Sequence, residues 1–256
     1  MKQKEMLLLV PQKLKEIEKE YGIRILYAAE SGSRAWGTHA PDSDFDVRFI
    51  YIRPREDYLR LEQMRDVLEF PIEDGWDMAG WDLKKMLQLL HNANSQIYEW
   101  FASPVVYLDD GFSHRIRSLL EEYFSVKTAV YHYLHQADMK MKQQKHAEPT
   151  KVKHYLYRFQ HLAAAQWILA QHTPTPVSFR ELMKLFPEEI RQEAFALLQK
   201  KTIPPQTPLM PHSPFLDAWL QEERDRISQF MEQLPREPEK PWEPLDRFFL
   251  SELDRI

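Results

Sequence analysis

The sequence contains no cysteine, and its six glycines all lie within the first 111 residues. Without cysteine, a fold held by disulfides and a zinc site built on thiolates are both excluded. The apolar run near the N-terminus, LLLV, ends at Pro11. This run is too short for the apolar core of a signal peptide or for a membrane span. We therefore expect a cytoplasmic protein that makes no contact with a membrane.

The uneven distribution of glycine predicts two domains. Tight turns between strands use glycine, whereas helical bundles can be built without it. We expect an α+β fold, with a small mixed, twisted sheet and helices over residues 1–112 and an all-helical domain over residues 113–256. A chain of 256 residues is long enough for two modest domains. Its formal net charge of −5 means that nucleic-acid binding would need a local basic patch.

Hydrophobic periodicity predicts the individual elements. IRILYAAE, residues 23–30, is apolar enough for a buried strand, and residues 44–52 alternate in the manner of a half-buried strand. Asp82 precedes a helix whose apolar stripe begins at Leu83, so we expect Asp82 to be its N-cap. The remaining expectations are strands over 66–72, 75–81 and 105–109, and helices over 12–21, 115–124, 126–146, 151–172, 179–200 and 214–233.

Two aspartates on the strand over residues 44–52 are the first chemical signal. Asp44 and Asp46 are two residues apart, so their carboxylates leave a strand on one face, about 7 Å apart. Such a pair repels unless a cation lies between its members, and oxygen ligands suit Mg²⁺ or Mn²⁺. A divalent cation there can bridge nucleotide phosphates during an in-line displacement. A solvated strand face is the alternative.

The turn SGS, residues 31–33, supplies a complementary feature. Gly32 lets the backbone approach a phosphate closely, and Ser33 offers a hydroxyl and a backbone N–H. A short helix beginning near Arg34 would point its positive end at the same place. A plain connector is the alternative for such a turn, but its combination with the aspartate pair favours a phosphate site.

The combined motif, GSRAWGTHAPDSDFDVRFIYI over residues 32–52, resembles the signature of polymerase-beta-type nucleotidyltransferases. It is most similar to the branch associated with an RNA repair pathway, which typically reads GSRAYG and then SDYDVRG. The resemblance extends through GWDLKKMLQLL and SPVVY to about residue 110, and more loosely to KHYLYRFQHLAAAQWIL over residues 153–169. It implies a polymerase-beta-like core followed by a helical domain that closes a cleft.

The resemblance also implies a third carboxylate, from a neighbouring strand, that joins the pair and acts as base toward the acceptor hydroxyl. Asp77 and Asp82 are the two candidates. Asp82 has a sufficient explanation as a helix N-cap, whereas a strand could bring Asp77 beside Asp44 and Asp46. We therefore expect Asp77 to complete the catalytic and metal-binding set.

Several further residues are candidates for binding the nucleotide. Ser43 could bond a phosphate or start the strand, and Arg34 could clamp a phosphate or balance the aspartates. Arg48 continues the aspartate face, so it could approach the triphosphate or form an ion pair. Lys85 could face the cleft. In related polymerases the helical domain contributes Lys and Tyr to the nucleotide, which points to Lys153 and Tyr157, although Gln160 stands where the family has Arg.

The expected activity is metal-dependent transfer of a nucleoside monophosphate from an NTP, with ATP as the expected substrate, to an acceptor hydroxyl. The family resemblance implies an RNA end as acceptor. The lysines between Lys140 and Lys153 could follow its phosphates or simply keep two helices soluble. Adenylylation of a protein or small molecule and non-catalytic nucleotide binding are the alternatives. A deep, acidic pocket would favour a small cationic acceptor, and a basic groove would favour RNA.

Overall fold

The structure, a computed structural model, describes residues 3–72, 75–145, 149–202 and 208–255. The predicted end of one helix at residue 146 lies outside these ranges. The strands are β1 Arg24–Glu30, β2 Phe45–Ile52, β3 Val67–Glu69, β4 Trp76–Asp82, β5 Val106–Asp109, β6 Thr150–Lys151 and β7 Leu209–Met210. The helices are α1 Gln3–Tyr21, α2 Gly32–Ala35, α3 Arg55–Tyr58, α4 Leu83–His91, α5 Ser95–Phe101, α6 Phe112–Tyr123, α7 Val126–Lys145, α8 Val152–Gln171, α9 Phe179–Leu182, α10 Glu188–Thr202, α11 Pro214–Gln233 and α12 Glu243–Leu253.

Five strands form one mixed sheet in the order β3-β4-β2-β1-β5. β2 and β4 are parallel, whereas the β1–β2, β1–β5 and β3–β4 pairs are antiparallel. The predicted α+β fold class is confirmed: a small mixed sheet precedes a long run of helices.

The alternation in β2 decides which face of the sheet carries chemistry. Phe45, Val47 and Phe49 are buried in a core that α1 covers, whereas Asp46 and Arg48 leave the strand on the opposite face and are partly exposed. Because residues two apart share a face, the apolar side chains anchor β2 and hold the polar ones outward. The sequence pattern therefore positions Asp46 correctly.

The chain divides into two compact units. The first comprises Met1–Gly32, Asp44–Tyr123 and Glu239–Ile256, and the second comprises Ser33–Ser43 and Phe124–Pro238. This division differs from the one expected at residues 112 and 113, because α6 and α12 pack against elements of the first unit. The roles expected for the two domains, catalysis and closure of a cleft, stay predictions.

The second unit is helical. α7 and α8 pack along each other, and α10 and α11 contact α8. Ala35 and Trp36 are buried in this helical core, and the Trp36 carbonyl accepts a hydrogen bond from the Phe179 N–H at 3.0 Å. The segment 33–43 is therefore part of the helical unit although it lies between two strands in the sequence.

Two helices depart from their predicted bounds. α1 runs through Pro11, because Met6, Val10, Leu14 and Ile17 form one almost fully buried stripe. Their burial, roughly 1.5–3 kcal/mol per side chain, outweighs the roughly 3 kcal/mol cost of proline inside a helix. The helix predicted over 179–200 is divided at Pro187 into α9, a 3₁₀ turn Met183–Leu185, and α10.

In the described part of the chain, no helix has both the length and the apolar character of a bilayer span.

Candidate active site

Asp46 and Asp77 lie side by side on neighbouring parallel strands. They are register partners in the β2–β4 ladder, and adjacent strands are about 4.8 Å apart. The structure thus brings Asp77 beside Asp46, as the family resemblance led us to expect. Its part in chemistry stays a prediction.

Arg48 bridges these two carboxylates. One guanidinium nitrogen, Nη2, lies 2.8 Å from Asp77 Oδ2 and 3.5 Å from Asp46 Oδ1, while Nη1 donates to the Asp77 carbonyl oxygen at 2.7 Å. Two roles were considered for Arg48, contact with the triphosphate and an ion pair with the aspartates. The structure shows the ion pair. Contact with a triphosphate stays a prediction.

Burial and the neighbouring charges act in opposite directions on the carboxyl of Asp46. Burial, opposed by the Arg48 guanidinium and reinforced by the negative charges of Asp77 and Asp44, raises the pKa of Asp46 to about 6. A carboxyl whose pKa is raised in this way gains from any additional cation, because a nearby positive charge favours its ionised form. Binding of a metal ion at these carboxylates stays a prediction.

Gly32 is in direct contact with Asp46. Its φ is +58°, and a Cβ at this position would lie 2.0 Å from Asp46 Oδ2. Only glycine fits, since any side chain would displace the carboxylate and would also strain the left-handed backbone. The glycine of the turn and the second aspartate of the pair are therefore one packed unit, which explains why both residue types occur at this spacing.

Glu30 anchors the same region from the core and was missed by the sequence analysis, where it reads only as the end of a buried strand. It is completely buried, and its Oε1 accepts the Asp46 backbone N–H at 2.8 Å. Its Oε2 accepts the Tyr107 hydroxyl, and the Asp46 carbonyl oxygen accepts the Ser31 N–H at 2.7 Å. A glutamate at the end of a strand, just before the turn, is the one signal that could have pointed to it.

Replacing Glu30 with Ala is expected to lower the free energy of unfolding by about 2–4 kcal/mol, because two buried donors lose their acceptor. Glu30→Gln should recover at least half of that loss, since its amide oxygen still accepts the Asp46 N–H. Urea unfolding at neutral pH measures both. Equal stability of Glu30→Ala and wild type would contradict the anchoring role.

Asp82 is the N-cap of α4, as predicted. Its Oδ1 accepts the Lys84 N–H at 2.8 Å, its carboxylate accepts the Tyr58 hydroxyl at 3.0 Å, and Arg53 lies 3.8 Å away. Its ladder partner is Tyr51, five residues along β2 from Asp46. The geometry therefore separates Asp82 from the Asp46–Asp77 pair and favours Asp77 as the third carboxylate.

Burial raises the pKa of Asp82 to about 6 despite the hydrogen bonds from Lys84 and Tyr58. The folded state then holds this proton more tightly than the unfolded state, so the contribution to stability is present below the ordinary pKa and is lost as pH rises through about 6. Asp82→Asn keeps an acceptor for the cap and removes this loss. We expect its unfolding free energy to rise relative to wild type by about 2 kcal/mol between pH 4 and pH 7. If urea titrations show the same change in unfolding free energy from pH 4 to pH 7 for wild type and Asp82→Asn, this expectation is wrong.

Asp44 immediately precedes β2 and is exposed. Its Oδ1 lies 3.7 Å from the Cβ position of Gly75, whose carbonyl accepts the Phe45 N–H at 2.8 Å. Its negative charge reaches Asp46 and contributes to the raised pKa of that carboxyl. Asp44 is thus the outer member of the acidic set.

Lys85 is not brought to the three carboxylates. Its Nζ pairs with Asp66 at 3.0 Å, and it lines a separate cleft with Asp82 and Arg53. The reason is the direction of α4, which carries Lys85 toward the segment before β3. A role of Lys85 in binding the nucleotide stays a prediction that this geometry does not support.

The remaining candidates belong to the second unit. Arg34 donates to the Ser43 carbonyl at 2.7 Å, and the Ser43 hydroxyl accepts the Ala40 N–H at 2.9 Å. The carbonyl of Ser33 accepts the Thr38 N–H at 2.8 Å. These bonds fix the shape of the 33–43 segment, which is a structural task, and binding of phosphate by these residues stays a prediction.

Tyr157 lies in a cluster of cations within the second unit. The ammonium nitrogens of Lys140 and Lys201 lie 5.3 Å and 5.8 Å from the centre of its ring. Burial and the positive charges of Lys151 and Lys140 lower the pKa of Lys153. Lys201, which is far from the others in sequence, was missed by the sequence analysis. Binding of an anion such as a triphosphate by this cluster stays a prediction.

An α+β sheet that carries a glycine turn and acidic side chains on adjacent parallel strands defines the polymerase-beta class of nucleotidyltransferase fold. The chain belongs to the RNA repair pathway DNA polymerase beta family, whose model matches residues 6–251. This confirms the resemblance drawn from the motif at residues 32–52.

One sequence relative and two solved structures are similar to the chain. An uncharacterised protein of Bacillus subtilis (strain 168), YcgL, is 36% identical over 246 residues, which is 95% of each chain. Spectinomycin adenyltransferase AAD(9), solved with ATP and spectinomycin, is 9% identical with a TM-score of 0.45, covering 91% of this chain and 100% of that one. A nucleotidyltransferase-like protein from Exiguobacterium sibiricum is 12% identical with a TM-score of 0.30, over 86% of this chain and 74% of that one.

Proposed function

We propose that the chain transfers a nucleoside monophosphate from an NTP to an acceptor hydroxyl in a metal-dependent reaction. The observation that carries this proposal is the contact of Gly32 with Asp46 beside Asp77, in a chain of the polymerase-beta class. A turn without a side chain at the edge of an acidic pair is suited to hold phosphates next to a cation.

The residues present fit a hard divalent cation. Asp44, Asp46 and Asp77 offer oxygen ligands, which Mg²⁺ prefers, and the negative charges of Asp77 and Asp44 both act on the carboxyl of Asp46. Among the described residues, no three acidic or histidine side chains are already grouped around one point, and Arg48 is the cation between Asp46 and Asp77. We infer that Arg48 gives way when the metal binds. The cation would supply charge for the phosphates and for the oxygens that enter and leave.

The phosphates have two sets of candidate partners on the chain. Gly32 and Ser33 would offer the phosphates backbone N–H groups at the turn, and Arg34 and Ser43 are the candidates in the segment 33–43. The cluster of Lys153, Tyr157 and their neighbours supplies positive charge in the second unit. We propose ATP as the NTP, which the sequence favours by resemblance alone.

Asp77 is proposed as the base. The acceptor oxygen forms a bond to the α-phosphorus, the bond from that phosphorus to the β-bridging oxygen breaks, and pyrophosphate leaves with the electron pair. The hydroxyl proton passes to Asp77. Asp77 lies beside Asp46 in the lining of the cleft on this face of the sheet, where an acceptor hydroxyl can reach its carboxylate.

Two classes of molecule are candidates for the acceptor. The description of the family names RNA repair, so an RNA end is one. A small molecule is the second, and a specific observation favours it: the cleft next to Asp77 is acidic and aromatic, with Glu69 and Trp81 in its lining. A protein acceptor is not favoured by any described feature.

The test is transfer of label from each of the four [α-³²P]NTPs in Mg²⁺ or Mn²⁺, with RNA, a protein extract or a small-molecule extract as acceptor. We expect label transfer and pyrophosphate release by the wild type, and neither in the Asp44→Ala, Asp46→Ala double variant or in excess EDTA. That double variant should stay folded, because it removes like charges from one another's vicinity.

The matched control removes two exposed carboxylates, Glu16 and Glu20, from α1, the helix that packs on the apolar face of the sheet, opposite Asp46 and Arg48. This variant should retain full transfer. Turnover by the Asp44, Asp46 double variant at the wild-type rate would overturn the metal assignment, and nucleotide binding without any transfer by the wild type would favour a non-catalytic role.

A further inference from the structure

The acidic face of the sheet carries a cleft of about 530 Å³ that lies entirely within the first unit. It begins at Gly32 and Asp46 and continues past Asp77 to β3 and α5. We call it the acceptor cleft. Its volume falls in the range of pockets that bind small molecules, roughly 300–1,000 Å³.

The sheet register builds the floor of the acceptor cleft. Asp77, Ala79 and Trp81 are alternate residues of β4, so they share the face that Asp46 and Arg48 occupy on β2. Ala79 pairs with Glu69 on β3, and its small side chain leaves room between the carboxylate of Asp77 and the indole of Trp81. The cleft therefore has an acidic end at Asp77 and an aromatic end at Trp81.

The position of Asp77 separates two kinds of ligand. Gly32 and Asp46 lie on one side of it, toward β1, where the nucleotide phosphates belong under the proposed function. The space on the other side of Asp77, over β4 and β3, is open to a second ligand whose hydroxyl can reach this carboxylate. That second ligand is the acceptor.

Charge in this outer part is negative. Glu69 is exposed on the edge strand β3, and within the described residues it has no ion-pair partner. Arg48 is the one cation among the described lining residues, and it is held by Asp77 and Asp46. A polynucleotide acceptor needs Lys or Arg along its phosphates, and this cleft offers a carboxylate instead.

The aromatic end offers a flat apolar surface. Trp81 is partly exposed, and its ring is backed by the buried Trp100 with ring centres 4.1 Å apart. An indole fixed in this way can pack against a ring of an acceptor or attract a positive charge over its face. The carboxylate of Glu69 and the indole of Trp81 together favour a ligand that carries both a positive charge and an apolar surface.

We propose that the acceptor is a small hydroxylated amine, bound with its ammonium group at Glu69 and its carbon framework on Trp81. This inference rests on the proposed function, and it names the substrate class of that site. The hydroxyl oxygen attacks the α-phosphorus, pyrophosphate leaves, and Asp77 takes the proton, so the product is a phosphodiester of the amine.

The experiment uses the full chain, [α-³²P]ATP and Mg²⁺ with three probes: metabolites below 1 kDa that a cation exchanger retains, metabolites that it does not retain, and total RNA. We expect a labelled product from the retained fraction. Glu69→Gln should lower the yield at limiting acceptor at least tenfold through a higher KM for the retained fraction, and Glu69→Asp should recover part of it. Glu62→Gln, an exposed glutamate that lines a different cleft, is the matched control and should match wild type.

Label on RNA or in the unretained fraction, or equal yields from Glu69→Gln and wild type, would overturn the proposed acceptor class while leaving nucleotidyl transfer intact. Absence of label and of pyrophosphate release with all three probes would instead contradict the proposed function itself. The two failures are therefore distinguishable.

Discussion

Asp77→Asn is expected to lower the rate of nucleotidyl transfer by a factor of about 10² to 10⁴, the usual contribution of a general base. Asparagine has the same size but cannot take the proton of the acceptor. Its effect on stability should stay below about 1 kcal/mol, because the Arg48–Asp77 pair is partly exposed to solvent. Single-turnover transfer and urea unfolding of the same preparations measure both quantities.

Asp82→Asn is the matched control for this variant, since it makes the same chemical change in the same strand. Asp82 accepts the Lys84 N–H and the Tyr58 hydroxyl, and its ladder partner is Tyr51. Asp82→Asn should therefore transfer at close to the wild-type rate. If Asp82→Asn is stable but inactive while Asp77→Asn remains active, Asp82 is the base and Asp77 is not.

Gly32→Ala is expected to reduce transfer by more than about 100-fold. The added Cβ would lie 2.0 Å from Asp46 Oδ2, so the carboxylate must move by an ångström or more, and a displacement of this size is enough for such a loss. The variant should also lose about 1–2 kcal/mol of stability, because φ of +58° is unfavourable for alanine.

The Gly22→Ala variant distinguishes the effect of backbone strain from the effect of a clash with Asp46. Gly22 has a similar φ of +61°, it belongs to the same unit, and nothing lies within 4 Å of its Cβ position. We expect a stability loss like that of Gly32→Ala with unchanged transfer. If the two variants transfer equally well, the contact between Gly32 and Asp46 has no part in the activity.

The features that could be predicted from sequence depend on residues close together in the chain. The alternation from Phe45 to Tyr51 predicted which face of β2 is polar, and the position of Asp82 before an apolar stripe predicted its cap. Gly32 was expected at a turn because tight turns between strands use glycine, and its φ of +58° agrees with this. Each of these depends on local backbone geometry, which a short stretch of sequence determines.

The features that local sequence patterns do not predict depend on contacts between distant segments. The pairing of Asp46 with Asp77 was expected from the family resemblance, and it requires parallel alignment of β2 and β4. The bonds of Glu30 require β5 to present Tyr107. Lys201 contacts Tyr157 only through the packing of α10 on α8. The continuation of α1 through Pro11 likewise depends on burial against the sheet, which outweighs the local preference of proline.

The passage of the chain from one unit to the other inside the motif limits how the protein can be shortened. The first unit is made of three separate stretches and the second of two, with the changes at Gly32–Ser33 and Ser43–Asp44. A fragment that ends at residue 112 would lose α6 and α12, and excision of the helical unit would remove Ser33, Arg34 and Ser43 from between the two halves of the signature. Neither half of the molecule can be obtained by cutting the gene at a single place, so dissection of this protein has to proceed by point substitution.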